Sequence, residues 1–411
     1  MGKFGLGLDL GTTTVQAQLV NLDTGEILDE ISALNSQRTF GADVMSRIGA
    51  AKDGKTGELF AAINSQTEGI LRHFIDKYRL SKIERCHVSG NTAMMHLFSG
   101  VNPGSMGEAP YTPVFLEERR FSGKELNLSA DNILLLPGIS AFVGADIASG
   151  LAFSSIIDKN ESSLFTDIGT NGEVAVRKKN GKRLFCCSTA AGPCFEGAEI
   201  SCGMIAQAGA INRISFNKNE SENWFTYNLP VLPNSEKVVL SYKTVENEKA
   251  RGICGSGFLD AVAVMKKLGV IEESGAFADN YTQTSFSVAD GIGINQADIR
   301  RFQLAKSAIY SGIAVLCKMA GVNPASLDKA YIAGGLGFYI DLESAAFTGL
   351  LPGEIISKAQ ISGNTSLKGA ALSLTDESFL PRCREIIARS TVADLAVDKE
   401  FAEAFTDNME I

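Results

Sequence analysis

The sequence predicts an α/β protein built from two related lobes. Three observations carry that reading. The chain has 411 residues, which suits two domains better than one core. It writes one unit twice: a strand, then Asp-(Leu/Ile)-Gly-Thr, then a second strand and a tight turn. The copies are "GLGLDLGTTTVQAQLVNLDTGEILDE" (5–30) and "SLFTDIGTNGEVAVRKKNGKRLFC" (163–186). A further apolar strand runs into a Gly-Gly turn in "KAYIAGGLGFYIDL" (329–342).

Each element follows from its residues. Phe4 to Leu8 is short and apolar, as a buried strand should be. Thr14 to Val20 returns as a second strand, and the turn Asn21–Gly25 lets Glu26 to Ile31 pair back. The later copy keeps that order: Leu164 to Ile168, Glu173 to Arg177, an Asn180-Gly181 turn, then Arg183 to Cys187. "FVGADIASGLAFSSII" predicts a helix before the second copy, with Asp146 near its start. "ARGICGSGFLDAVAVMKKLGVI" predicts a Gly-rich turn and a helix from about Gly257. A helix starting near Asn295 or Gln296 carries Lys306, and residues 217–239 read as a surface hairpin with loops around Trp224. The first lobe is expected over 1–150 and the second over 151–365. A C-terminal helix and tail over 366–411 are expected to return to the first lobe.

Both Asp-x-Gly-Thr turns have the chemistry of a phosphate site. Gly11 and Gly169 let backbone approach a ligand. Thr12, Thr13 and Thr14 in one copy, and Thr170, Asn171 and Gly172 in the other, surround exposed N–H groups with polar donors, a nest for phosphate oxygens. Asp9 and Asp167 would repel phosphate but suit Mg²⁺ or its waters. Two such copies would hold a nucleotide polyphosphate from both sides of a cleft. The glycine-rich nicotinamide fingerprint and the lysine-bearing phosphate loop are both absent.

Bulk composition excludes other classes. A net charge of -9 disfavours non-specific nucleic-acid binding, so no nucleic-acid partner is expected. Apolar runs are too short for a membrane span, and no signal-peptide pattern is present, so a cytoplasmic address is expected. Three histidines supply no convincing Ser-His-Asp or Cys-His set; His96 reads as a satisfied, partly buried side chain. The eight cysteines do not form a ferredoxin pattern.

With these features on the page, the chain resembles the actin/hexokinase/heat-shock-70 (ASKHA) ATPase superfamily. That resemblance implies two ribonuclease-H-like lobes of the actin-like ATPase fold closing on ATP and Mg²⁺. It assigns Asp9 and Asp167 to the metal, and Gly334, Gly335 and Gly337 to the adenosine loop. Asp146 either orients the attacking water or simply sits at a helix start. Lys306 either touches adenosine, as a basic residue does in heat-shock-70 relatives, or faces solvent. Gly255 and Ser256 offer helix-start N–H groups to a ribose or phosphate.

Longer stretches narrow the resemblance. "NSQRTFGADVMSRI" (35–48), "VSGNTAMMHLFSG" (88–100), "CSTAAGPCFEGAEISCGMIAQAGAI" (187–211) and "DIRRFQLAKSAIYSGI" (298–313) are similar to the ATPase part of reductive activators of corrinoid proteins. Such activators use ATP to drive reduction of Co(II) to Co(I) in a corrinoid protein or methyltransferase component, and they dimerise. Here the first strand begins at once, so a separate low-potential electron donor is expected. Related dehydratase activators hold a subunit-bridging iron–sulfur cluster through a "CAAG" cysteine. Thr189 stands at that place here, so no cluster is expected and the cysteines at 186–202 read as structural. The rival readings are a nucleotide-dependent regulatory or chaperone-like protein and a small-molecule kinase of the same fold.

Overall fold

The computed structural model describes residues 2–216, 223–229, 238–336 and 339–411. The chain divides into two compact units. Unit 1 comprises Met1–Asn160, Asn180–Cys186 and Asn364–Val392; unit 2 comprises Glu161–Lys179, Cys187–Gly363 and Ala393–Ile411.

In unit 1, β1 (Phe4–Leu10), β2 (Thr14–Asn21) and β3 (Ile27–Leu34) form an antiparallel meander. Helices α1 (Val44–Ala50) and α2 (Thr56–Tyr78) follow, and β4 (Ile83–Gly90) returns parallel to β1. Then come α3 (Thr92–Phe98), β5 (Arg119–Ser122), α4 (Gly123–Leu126), β6 (Ala130–Leu135) and α5 (Ala145–Phe153). The sheet order is β3-β2-β1-β4-β6-β5.

In unit 2, β7 (Ser163–Ile168) and β8 (Gly172–Arg177) repeat the antiparallel pair of β1 and β2. Strand β9 (Leu184–Thr189) is divided between the units after Cys186. An insert forms a small sheet from β10 (Ala210–Phe216), β11 (Phe225–Asn228), β12 (Val239–Thr244) and β13 (Gly252–Ile253). Helix α6 (Gly255–Lys267) and the hairpin of β14 (Ser285–Ala289) and β15 (Ile292–Asn295) lead to α7 (Gln296–Ala320). Strand β16 (Lys329–Ala333) lies parallel to β7, as β4 does to β1, and α8 (Leu342–Phe347) and β17 (Ala359–Gly363) complete the unit's main chain course. Each unit thus has the ribonuclease-H-like pairing, and the fold is the α/β, two-lobed actin-like ATPase fold. Helix α7 starts where expected, because Asn295 accepts from the Asp298 N–H and Asp298 reaches back to the Asn295 N–H. Of the excursion expected over 217–239, residues 217–222 and 230–237 lie outside the described residues. Trp224 precedes β11, with the Lys243 ammonium 5.1 Å from its ring centroid.

The rest of the chain is α9 (Thr365–Ser373), α10 (Phe379–Arg389), β18 (Ser390–Val392) and α11 (Lys399–Asp407). The segment expected to return whole to the first lobe is shared instead. Helices α9 and α10 belong to unit 1, and α11 belongs to unit 2. The reason is local: the backbone carbonyls of Phe405 and Met409 receive hydrogen bonds from Ser307 and Gln303 of α7. No helix among the described residues is long and apolar enough to cross a membrane.

The alternation of β1 sets the layering of unit 1. Leu6, Leu8 and Leu10 share one face and are fully buried. Gly5, Gly7 and Asp9 share the other. Helix α9 crosses that face so closely that a Cβ on Gly7 would lie 2.7 Å from the Ala371 backbone nitrogen. The same register brings the first residues of α9 to Asp9.

Candidate functional site

In unit 1 the carboxylate of Asp9 is held from α9 and its cap. Ser366 Oγ donates to Asp9 Oδ1 at 2.6 Å, and Asn364 Nδ2 donates to Oδ2 at 2.7 Å. Asn364 also donates to Gln16, opposite Asp9 on β2. From Ser366 a hydroxyl chain continues through Ser89 (2.9 Å) to Ser149 on α5 (2.8 Å). Asp146 lies in the first turn of the same helix, after its Gly144 cap, and takes the Ile147 N–H at 2.9 Å. Burial, then the negative charge of Asp9, push Asp146 up to about 7. The structure therefore brings Asp9 and Asp146 into one electrostatic neighbourhood.

The Gly11–Thr14 turn is held by side chains that reading the sequence did not connect to it. A Cβ on Gly11 would fall 2.7 Å from the Thr14 carbonyl oxygen, so this turn needs glycine. Asn35 Nδ2 donates to the Gly11 carbonyl at 2.8 Å, and the Asn35 N–H donates to the Thr13 carbonyl at 2.9 Å. Arg47 is fully buried and donates from Nη2 to the Thr12 carbonyl at 2.6 Å. Burial pulls its guanidinium down to about 10. Asn91 donates to Thr12 Oγ1 at 3.1 Å. In the structure Asp43 is the N-cap of α1, accepting from the Ser46 N–H at 2.8 Å. A signal was there to read: Asn35, Arg47 and Asn91 all lie in the two quoted stretches 35–48 and 88–100.

Unit 2 assembles the second turn with the Gly-Gly loop. Gly334 adopts φ +92°, and a Cβ there would lie 2.5 Å from the Ile168 carbonyl oxygen and 2.6 Å from Asp167 Oδ1. Only glycine lets the loop after β16 rest on the Asp167 turn. Gly335 follows it, exposed; Gly337 lies outside the described residues. Thr170 donates both its N–H (3.0 Å) and its hydroxyl (2.7 Å) to the carboxylate of Glu196. Asn171 gives its carbonyl to the Gly169 N–H at 3.0 Å, closing the turn. Gly172 lets β8 meet α7, since a Cβ there would be 2.6 Å from Ile309.

Gly255 and Ser256 start α6 against the segment that carries Glu196, the acceptor of Thr170. A Cβ on Gly255 would meet the Phe195 carbonyl oxygen at 1.9 Å, and Ser256 is buried with its hydroxyl on the Asn212 carbonyl at 2.9 Å. Both serve the close seating of α6 on its neighbours. Lys306 is buried on α7, and its ammonium donates to the Glu410 carbonyl. His96 is fully buried between the Thr92 carbonyl (2.7 Å) and the Val114 N–H (3.0 Å), as its apolar surroundings predict. All eight cysteines are free thiols, and burial pushes Cys186 and Cys194 up to about 12. No group of three or more His, Cys, Asp or Glu side chains among the described residues is placed to hold a metal ion.

Comparison with known proteins shows the family. Residues 161–411 match the family described as "C-terminal domain of RACo the ASKHA domain", and residues 4–159 match "RACo middle region". "Corrinoid activation enzyme RamQ" of Eubacterium limosum is 30% identical over 436 residues, covering 98% of this chain and 70% of that protein. "[Co(II) methylated amine-specific corrinoid protein] reductase" of Methanosarcina barkeri is 30% identical, covering 95% of this chain and 74% of that protein. The solved structure of a "Reductive activator for corrinoid,iron-sulfur protein" superposes with a TM-score of 0.87 at 32% identity. That match covers 100% of this chain and 66% of the activator's.

Proposed function

Since the chain belongs to the RACo family of ASKHA-domain proteins, we propose that it is an ATP-coupled activator of a corrinoid protein. The observation that carries the nucleotide half of this reading is the grip of Thr170 on Glu196. An N–H and a hydroxyl already hold a carboxylate there, so the turn is built to take an oxyanion, and a phosphate oxygen would replace that carboxylate. The Gly11–Thr14 turn, stiffened by Asn35 and Arg47, is the matching element of unit 1.

The residues fit Mg²⁺ as well as phosphate. Asp9 and Asp167 are hard oxygen donors of the kind Mg²⁺ prefers. A carboxylate has about four acceptor positions, so Asp9 can keep Asn364 and Ser366 and still serve a cation or its waters. When bound, Mg²⁺ would offset the phosphate charge. The protein's own residues do the positioning. Each turn offers its donors to phosphate oxygens, the Gly334–Gly335 loop offers its backbone to the nucleoside, and Asp146 orients the attacking water. Thr12, Thr13, Thr14, Gly169, Asn171 and Gly172 shape the turns.

The finer chemistry in this proposal is reduction of Co(II) to Co(I). ATP supplies the driving force and a separate low-potential protein supplies the electron. A homodimer is the proposed working form. The test is anaerobic visible spectroscopy of a corrinoid protein with this chain, a low-potential reductant and Mg-ATP. The expected result is ATP-dependent loss of the Co(II) band and growth of the Co(I) band, abolished in D9A and D167A. Tight ATP binding without any spectral change, while an authentic activator reduces the same corrinoid protein, would reject it for that partner. A phosphorylated small-molecule product would identify a kinase instead.

A further inference from the structure

A polar cavity lies in unit 2 and shares no lining residue with the phosphate turns. Its volume is about 300 Å³, and its walls come from α6, α7, the end of α8 and the 407–411 segment. Two ammonium groups reach it, Lys266 at the end of α6 and Lys306 in the middle of α7. Lys306 is only 2% exposed. An ammonium has three donors, yet Lys306 is matched by a single acceptor, the Glu410 carbonyl. Lys266 likewise has one acceptor, the Phe347 carbonyl at 3.1 Å, with its Nζ 4.7 Å from the Phe347 ring centroid. Among the described residues neither lysine forms an ion pair, although Asp407 and Glu410 border the cavity; both of those residues are exposed to solvent.

This is an unusual outlay of charge. Burying an ammonium without a counter-charge is costly, and placing a second one on the same cavity adds repulsion. Burial, followed by the charge of Lys266, pulls Lys306 down to about 8. The glycine at Gly349 keeps the approach open, since a Cβ there would stand 3.1 Å from Lys306 Nζ. Tyr310 adds a half-buried hydroxyl to the wall. Lys306 therefore has donors left over at a space large enough for a small molecule, with the partly buried Lys266 at its rim, and the only carboxylate acting on it, Glu410, reaches it through space and not by an ion pair among the described residues.

We propose that this cavity binds a small oxyanion, a phosphate or carboxylate group of a free metabolite, between the ammonium groups of Lys266 and Lys306. The proposal does not depend on the phosphate turns, which share no residue with the cavity, and it gives Lys306 an oxyanion in place of the adenosine contact that the resemblance implied. The test is titration calorimetry and thermal unfolding of the full chain with inorganic phosphate and, separately, malonate, at constant ionic strength. Wild type is compared with Lys306→Met, Lys266→Met and Thr170→Ala. One or both anions should bind wild type and should still bind Thr170→Ala, in which the phosphate turn of unit 2 is impaired. Affinity should fall about tenfold or more in each lysine variant, as loss of a charge-assisted hydrogen bond requires. Without added anion, Lys306→Met should melt at or above the wild-type temperature, since an unmatched buried charge is gone. Phosphate binding alone points to a phosphate ligand, and malonate binding alone to a dicarboxylate. The proposal is overturned if neither anion binds, if both lysine variants bind as wild type does, or if only Thr170→Ala loses binding. Should Lys306→Met fail to fold, Lys266→Met at the cavity rim decides alone.

Discussion

His87 shows how one buried side chain sets a pH response. It lies on β4, is 9% exposed, and its Nδ1 stands 2.8 Å from the Ser373 hydroxyl. Burial, with Arg85 and Arg120 nearby, pulls its pKa down to about 4. The sign follows. In the unfolded chain His87 would take up a proton as pH falls below its ordinary value near 6.5, while the folded state resists until about 4. Its contribution to stability is full above that ordinary value and is lost as pH falls toward the folded one. From about pH 7 to about pH 5 the loss should be about 2 kcal/mol. Urea unfolding across that range should show it, and His87→Gln should flatten the slope; an equal slope in both proteins would rule it out. How far single residues could be read from sequence varied with the distance to their partners. Asp9, Gly11, Asp167 and Gly334 were visible because strand, turn and glycine are neighbours in the chain. Arg47 and Ser366 were not, because their partners Thr12 and Asp9 are 35 and 357 residues away. Their value arises only when β1 is sandwiched by later elements.

Among elements, α7 and α11 make the sharpest contrast. Helix α7 carries its own start signal in Asn295 and Asp298 and has a long buried face, so its position was legible. Helix α11 has a legible amphipathic pattern but no fully buried side chain. It is attached to α7 by backbone carbonyls taken by Ser307 and Gln303 and by a Lys318–Glu400 ion pair of 2.7 Å. Nothing in its own residues names that partner, which is why a return to the first lobe was a reasonable but incomplete expectation. Few buried apolar contacts mean a low opening free energy. In native-state hydrogen exchange, the amides of Lys399–Asp407 should therefore exchange well before those of the α7 interior. Equal protection would show that α11 opens only with the rest of unit 2.

At the scale of the molecule, the duplicated strand–turn–strand unit was the most legible feature, because both copies are contiguous. The division of the chain was less so. Unit 1 depends on α9, whose backbone lies against Gly7, and on Asn364 and Ser366, which hold Asp9. A fragment spanning residues 1–160 should thus lack one cover of its sheet. We expect it to aggregate or to show weak, uncooperative urea unfolding, whereas a 1–160 fragment with a sharp transition would contradict the packing described here.

That closeness of α9 to β1 has a consequence for how the molecule is made. The chain passes between the units after residues 160, 179, 186, 363 and 392, five crossings in all. A ribosome releases β1 first and α9 more than three hundred residues later. At about 5–20 residues per second, the Gly5–Gly7 face stays uncovered for roughly 20–70 seconds of synthesis. The Asp9 end of β1 is thus among the earliest parts translated and among the last to be completed.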